Sequence, residues 1–100
     1  MELGGKGALI MTADCDVAKA VSAIASVWAF HSGQICTAPT RGIVHRSLYQ
    51  QTVDMLVATA KVLKVGDARE RDTVVGPLVT ETQRDRVVAI RRCCLSRRRT

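Results

Sequence analysis

Apolar positions change their period along the chain, and each change marks an element. Residues 8–12, Ala-Leu-Ile-Met-Thr, form a short apolar run after a glycine cluster, which predicts a buried strand. Asp14 stands where a helix N-cap is expected, with Asp16 in the first turn, where the helix dipole favours acids. Val17, Val21, Ile24 and Trp28 follow at spacings of four, three and four, one apolar face of a helix running to about His31, with Gly33 as its stop. Residues 33–40 read as a loop, because Pro39 discourages further helix, and residues 41–46 as a short strand. Ser47 with Gln50 makes a capping-box pattern. Leu48, Val53, Leu56, Val57, Ala60 and Leu63 then mark a second amphipathic helix that ends at Gly66. Residues 66–79 form a loop of mixed charge with a Gly76-Pro77 turn signal, and Thr80 with Gln83 starts a third helix that continues through Val87 and Ile90.

Strands alternating with helices imply an α/β fold, a parallel sheet with flanking helices. Only two strands are predicted. Parallel sheets are buried on both faces, and two strands with apolar edges invite aggregation. The pattern is therefore expected to be a partial sheet, a piece of a larger domain. It contains no internal repeat and no interdomain linker.

Composition narrows the reading. Of 100 residues, 47% are hydrophobic and 24% charged, a globular balance. A chain this short buries only about 60–65% of its unfolded surface, so its stability margin is thin. Trp28, Phe30 and Tyr49 are its three aromatics, too few to stack bases across a surface. The net charge of +6 is concentrated in a tail: Arg91, Arg92, Arg97, Arg98 and Arg99 lie in the last ten residues, and residues 1–90 carry 10 basic and 9 acidic groups. The longest apolar stretch, Ala20–Phe30, is 11 residues, short of the roughly 20 that span a bilayer. No signal peptide is visible. Cys15, Cys36, Cys93 and Cys94 show neither CxxC spacing nor a zinc pattern with His31 and His45, which favours free thiols in the cytoplasm.

Two positions carry candidate chemistry. Cys36 lies between a helix and a strand, among small residues, where loops often carry function. A thiolate is a strong nucleophile, so Cys36 is either a reactive cysteine or a half-buried structural one. Glu2 precedes paired glycines and is either a buried general base or an exposed terminal charge. The Gly4-Gly5-Lys6-Gly7 run lacks the spacing of a phosphate loop and precedes a strand rather than a helix.

Taken together, Glu2-Leu3-Gly4-Gly5-Lys6 and Ser32-Gly33-Gln34-Ile35-Cys36-Thr37-Ala38 resemble the two signature motifs of the aldehyde dehydrogenase superfamily, with Glu2 and Cys36 separated by 34 positions. Trp28-Ala29-Phe30, Arg41, Leu63-Lys64-Val65-Gly66-Asp67 and Gly76-Pro77-Leu78 extend the resemblance over about residues 2–90. It implies a piece of that family's catalytic domain and oxidation of an aldehyde substrate with NAD or NADP. Cys36 would attack the carbonyl to give a thiohemiacetal, then a thioester, and its backbone N–H would help hold the oxyanion. Glu2 would activate the hydrolytic water. The turn at Leu3 and Gly4 would approach the nicotinamide, glycine permitting the close approach. Full-length relatives would be homo-oligomers.

Departures from the family pattern set further expectations. His31 replaces the more usual asparagine, and Ala68-Arg69-Glu70-Arg71 replaces a proline after Gly66-Asp67. Most of the family's cofactor domain precedes the glutamate motif, so the 100-residue chain is expected to be inactive alone. Residues 91–100 depart from the family as an Arg-rich tail, which a reading-frame shift would produce, and Met1 fits an internal position read as a start. Two other functions fit parts of the sequence. A basic-tailed nucleic-acid-binding module would use the five tail arginines, but the tail offers no aromatic and no helical ion pairing. A cofactor-free cysteine hydrolase would pair Cys36 with His31 or His45, without an evident third group.

Overall fold

The computed structural model describes residues 4–97. Its elements run β1 (Gly7–Met11), α1 (Val17–Ala29), β2 (Pro39–Val44), α2 (Tyr49–Val62) and α3 (Glu81–Arg97). β1 and β2 form a two-stranded parallel sheet, with Ile10 opposite Ile43 and Met11 opposite Val44. The α/β expectation is met, with α1 as the crossover that a parallel pair requires.

Strand alternation decides the core. Met11 is 1% exposed and packs with Val17, Ala20 and Val21 of α1, while Leu9, Val44, Leu48, Met55 and Leu56 close around them. The opposite phase of the sheet points away: Ile10 is 71% exposed and Ile43 is 55% exposed. Leu48, Thr52, Met55 and Leu56 form the inward face of the second helical segment. Thr52 is buried, and its hydroxyl donates to the Leu48 carbonyl at 2.8 Å, which satisfies the polar atom. Val57, expected on that face, is exposed.

Several boundaries differ from expectation. The cap of α1 is Asp16, whose Oδ1 accepts from Lys19 N–H at 3.1 Å. Asp14 is held earlier, by the Thr12 hydroxyl at 2.6 Å, in a turn closed by Cys15 N–H on the Thr12 carbonyl. β2 begins at Pro39, since a strand's first residue tolerates a missing donor. The Ser47–Gln50 capping box does not form: the Ser47 amide and hydroxyl are engaged by His45 Nδ1, in a 3-10 turn that leads into α2. The Thr80 cap does form, its hydroxyl accepting from Gln83 N–H at 3.2 Å. α3 continues through Arg91 to Arg97, so the change of composition at Arg91 falls inside a helix.

Between α1 and β2 the chain makes a left-handed turn. His31, Ser32 and Gly33 have φ of 48°, 55° and 76°. Glycine accepts this region freely, but each non-glycine residue there costs about 1–2 kcal/mol. The loop after α2 organises itself around Lys64, whose ammonium pairs with Glu70 at 2.7 Å and Asp72 at 2.8 Å. Backbone bonds from Val74 and Val75 N–H to the Lys64 carbonyl close it.

Candidate active site

Parallel pairing brings the two sequence motifs together. Gly7 is in register with Pro39, so the segments that precede β1 and β2 emerge side by side at the same end of the sheet. Gly4 and Gly5 thus meet the 33–38 loop, and with Gly33, Gln34, Ile35, Cys36, Ala38 and Thr40 they line a cavity of about 370 Å³. Open α/β sheets usually bind ligands at the carboxyl ends of their strands. Here the candidate chemistry lies at the amino ends.

The cysteine loop is built by short-range bonds. Gln34 N–H and its side-chain amide both donate to the His31 carbonyl, each at 3.1 Å. Ala38 N–H donates to the Ile35 carbonyl at 3.1 Å, which closes a turn with Cys36 and Thr37 at its corner. Cys36 is exposed at that corner, while Ala38 beneath it is 6% exposed. Nothing among the described residues hydrogen-bonds the Cys36 thiol.

Glycine is required where the motifs touch. A Cβ on Gly5 would lie 2.7 Å from the Cys36 carbonyl oxygen, and one on Gly7 would lie 2.7 Å from that of Ala38. Gly4 has φ +66°, with open space where a side chain would stand. The sequence pattern singled out Cys36 and Gly4, and both line the cavity. Glu2 and Leu3 lie outside the described residues. The pairing of Gly5 with the Cys36 backbone was missed, although two consecutive glycines before a strand were its signal. Ser32 was missed as well: its hydroxyl donates to the Gly76 carbonyl at 3.1 Å, across 44 residues.

The histidines have other partners. The His31 ring packs edge-on against Phe30 with centroids 4.5 Å apart, and His45, engaged with Ser47, lies beyond the far end of β2. A second cavity, about 380 Å³, lies at that far end between Val44, Arg46, Tyr49 and Gln50 and holds no nucleophile. Chemistry, not volume, separates the two. Among the described residues no cluster of three His, Cys, Asp or Glu side chains is placed to hold a metal, and no helix is long and apolar enough to cross a membrane.

Two glycine-bordered segments, held against each other around an exposed cysteine at the amino ends of parallel strands, mark the chain as a piece of an α/β domain. The chain belongs to the aldehyde dehydrogenase family, whose model matches residues 1–92. It is 40% identical over 85 residues to a benzaldehyde dehydrogenase of Bacillus subtilis, covering 85% of this chain and 18% of that protein. It is 42% identical over 87 residues to a vanillin dehydrogenase of Amycolatopsis, covering 87% of this chain and 18% of that one. Among solved structures, the NAD+ complex of an aldehyde dehydrogenase from Bacillus cereus matches with a TM-score of 0.83 and 38% identity, over 89% of this chain and 18% of that one. Proline utilization A from Bdellovibrio bacteriovorus matches with a TM-score of 0.87 and 34% identity, over 95% of this chain and 10% of that one. The chain thus spans about 18% of the length of the curated relatives it matches.

Proposed function

We propose that this chain carries the nucleophile, and the base that serves it, of an NAD(P)-dependent aldehyde oxidation. The observation that carries the reading is the shared cavity of Cys36 with Gly4 and Gly5. The Cys36 thiolate attacks the carbonyl carbon of an aldehyde, a C–S bond forms, and the oxygen takes up a proton as the thiohemiacetal forms. The Cys36 N–H helps hold that oxygen while it is charged. Glu2 then takes a proton from water as the water oxygen bonds the acyl carbon of the thioester. The C–S bond breaks, releasing a carboxylic acid and regenerating Cys36.

The cavity fits one end of the cofactor. Gly4 and Gly5 line it with backbone that carries no side chain, and about 370 Å³ leaves room for a ring of nicotinamide size. Leu3 and Gly4 would hold that ring. When bound, NAD or NADP would supply the acceptor for the hydride that leaves the thiohemiacetal carbon, and the hydroxyl proton would pass to solvent as the thioester carbonyl forms. We place this chemistry in the cytoplasm, where the four thiols stay reduced. The relatives named for benzaldehyde and vanillin make aromatic aldehydes the first substrates to test. The 100-residue chain by itself is expected not to turn over, because it spans only about 18% of the length of the dehydrogenases it matches.

Acyl transfer tests the residues without cofactor. p-Nitrophenyl acetate should acetylate Cys36, releasing nitrophenolate, faster than it acetylates the exposed Cys93 and Cys94. Glu2→Gln should let the acetyl-Cys36 thioester persist. Equal labelling of all three thiols would overturn the nucleophile, and unchanged hydrolysis in Glu2→Gln would overturn the base. Sustained NAD reduction by the purified chain with benzaldehyde would overturn its expected inactivity.

A further inference from the structure

Cys36 sits four residues after Ser32, which with His31 makes the two non-glycine positions of positive φ among the described residues. His31 and Ser32 hold φ of 48° and 55°, a region that non-glycine side chains avoid. Such a conformation persists only where its surroundings over-determine it. Within the 31–38 segment the bonds are local, from Gln34 to His31 and from Ala38 to Ile35. Among the described residues one side-chain bond joins the left-handed turn to a distant part of the fold, from the half-buried Ser32 hydroxyl to the Gly76 carbonyl at 3.1 Å.

The acceptor is itself held. Gly76 follows Val75, whose N–H donates to the Lys64 carbonyl and whose own carbonyl accepts from Gly66 N–H. The Lys64 ammonium gathers Glu70 and Asp72 within the same loop. This loop therefore presents the Gly76 carbonyl as a fixed point. On the other side, the Cys36 carbonyl lies so close to Gly5 that no Cβ fits between them. The cysteine turn is thus held from two directions, by contact at Gly5 and by the bond at Ser32.

We propose that Ser32 is a positioning residue for Cys36. Its hydroxyl ties the left-handed turn to the 64–76 loop and so holds the Ile35–Ala38 turn, with Cys36 at its corner, against the Gly4–Gly5 backbone. The proposal rests on the reading of Cys36 as the nucleophile.

Three variants of the full chain separate the bond from the strain. Ser32→Ala removes the hydroxyl and keeps the strain. Ser32→Gly removes both. Ser32→Asn keeps a donor on a residue that tolerates the left-handed region. Two readouts are taken: hydrogen exchange at the Gln34 and Ala38 amides, and acetylation of Cys36 by p-nitrophenyl acetate, read on the tryptic peptide 20–41, whose only cysteine is Cys36. In Ser32→Ala the two amides should exchange about tenfold faster, a ratio equal to one unsupported hydrogen bond, and in Ser32→Gly the acceleration should be smaller because the left-handed strain is relieved as well. Cys36 acetylation should fall about fivefold, and the Ala20 and Val21 amides of α1 should not change. Ser32→Asn should return both readouts to within about twofold of the parent. Parent-like behaviour of Ser32→Ala would show that the bond holds nothing and overturn the proposal, as would equal acceleration in α1. If Cys36 in the parent reacts no faster than Cys93, the nucleophile reading fails, and the exchange measurement still decides whether Ser32 holds the turn.

Discussion

The Cys36 carbonyl oxygen occupies the place that a methyl group on Gly5 would need, 2.7 Å from the ideal Cβ. Both groups are backbone, so neither can swing aside as a long side chain would. Gly5→Ala should therefore shift the cysteine turn and cost about 1–3 kcal/mol, the usual penalty of overpacking. Urea unfolding followed by Trp28 fluorescence measures the cost. Cys36 labelling on the same samples should change while Cys93 labelling does not. Gly4→Ala is the contrast: it meets open space, and its penalty of about 1–2 kcal/mol arises from the left-handed φ of +66° alone.

The two phases of β1 should answer substitution differently. Met11 is 1% exposed at the centre of the core, so Met11→Ala leaves a cavity and should cost about 2–5 kcal/mol. Ile10, its neighbour, is 71% exposed, and Ile10→Thr should leave the unfolding midpoint nearly unchanged. Equal effects at the two positions would contradict this alternation of buried and exposed residues along β1.

The cap of α1 has a pH signature. Lys19, through its backbone N–H and then its ammonium, holds the Asp16 carboxyl below its ordinary range. A carboxylate whose folded pKa is depressed adds stability above its unfolded pKa and loses it as pH falls through the folded one. The parent should therefore lose thermal stability on acidification below the ordinary carboxylate range. Asp16→Asn, which caps without charge, should lose less over the same range. Parallel melting curves for the two proteins would remove Asp16 from the account.

At α3 the cap should act on one helix only. Thr80→Ala removes the acceptor of the Gln83 N–H and should weaken α3 by roughly 0.5–2 kcal/mol. Most of α3 is exposed, including Ile90 and Leu95, so the loss should appear as reduced circular dichroism at wavelengths that report helix. The near-ultraviolet signal of Trp28 should stay unchanged.

Sequence alone exposed what local chemistry decides. The apolar face of α1 through Val17, Val21 and Ile24 was visible because a helix imposes a period on burial, and those residues are buried. Thr80 was legible because a cap acts within three residues. Cys36 stood out by residue type and by its small neighbours. Choices between near-equal local options were not legible. Asp14 and Asp16 both suit a cap, and a hydrogen bond from Thr12 decides between them. Ser47 suits a capping box, but His45 takes its amide and hydroxyl. Hidden most completely were relationships between distant segments. The left-handed turn at His31 and Ser32 contradicts their intrinsic preference, and the bond from Ser32 spans 44 residues. The contact of Gly5 with Cys36 exists only once two parallel strands are in register.

That register also leaves Ile10 beside Ile43 on the sheet face turned away from α1, both more than half exposed. Paired β-branched residues on an open strand surface are the kind of apolar patch that chaperones hold and proteases sample. The lifetime of this polypeptide in a cell is thus tied to how much of its time that face spends covered, and a change at either isoleucine should alter abundance before it alters chemistry.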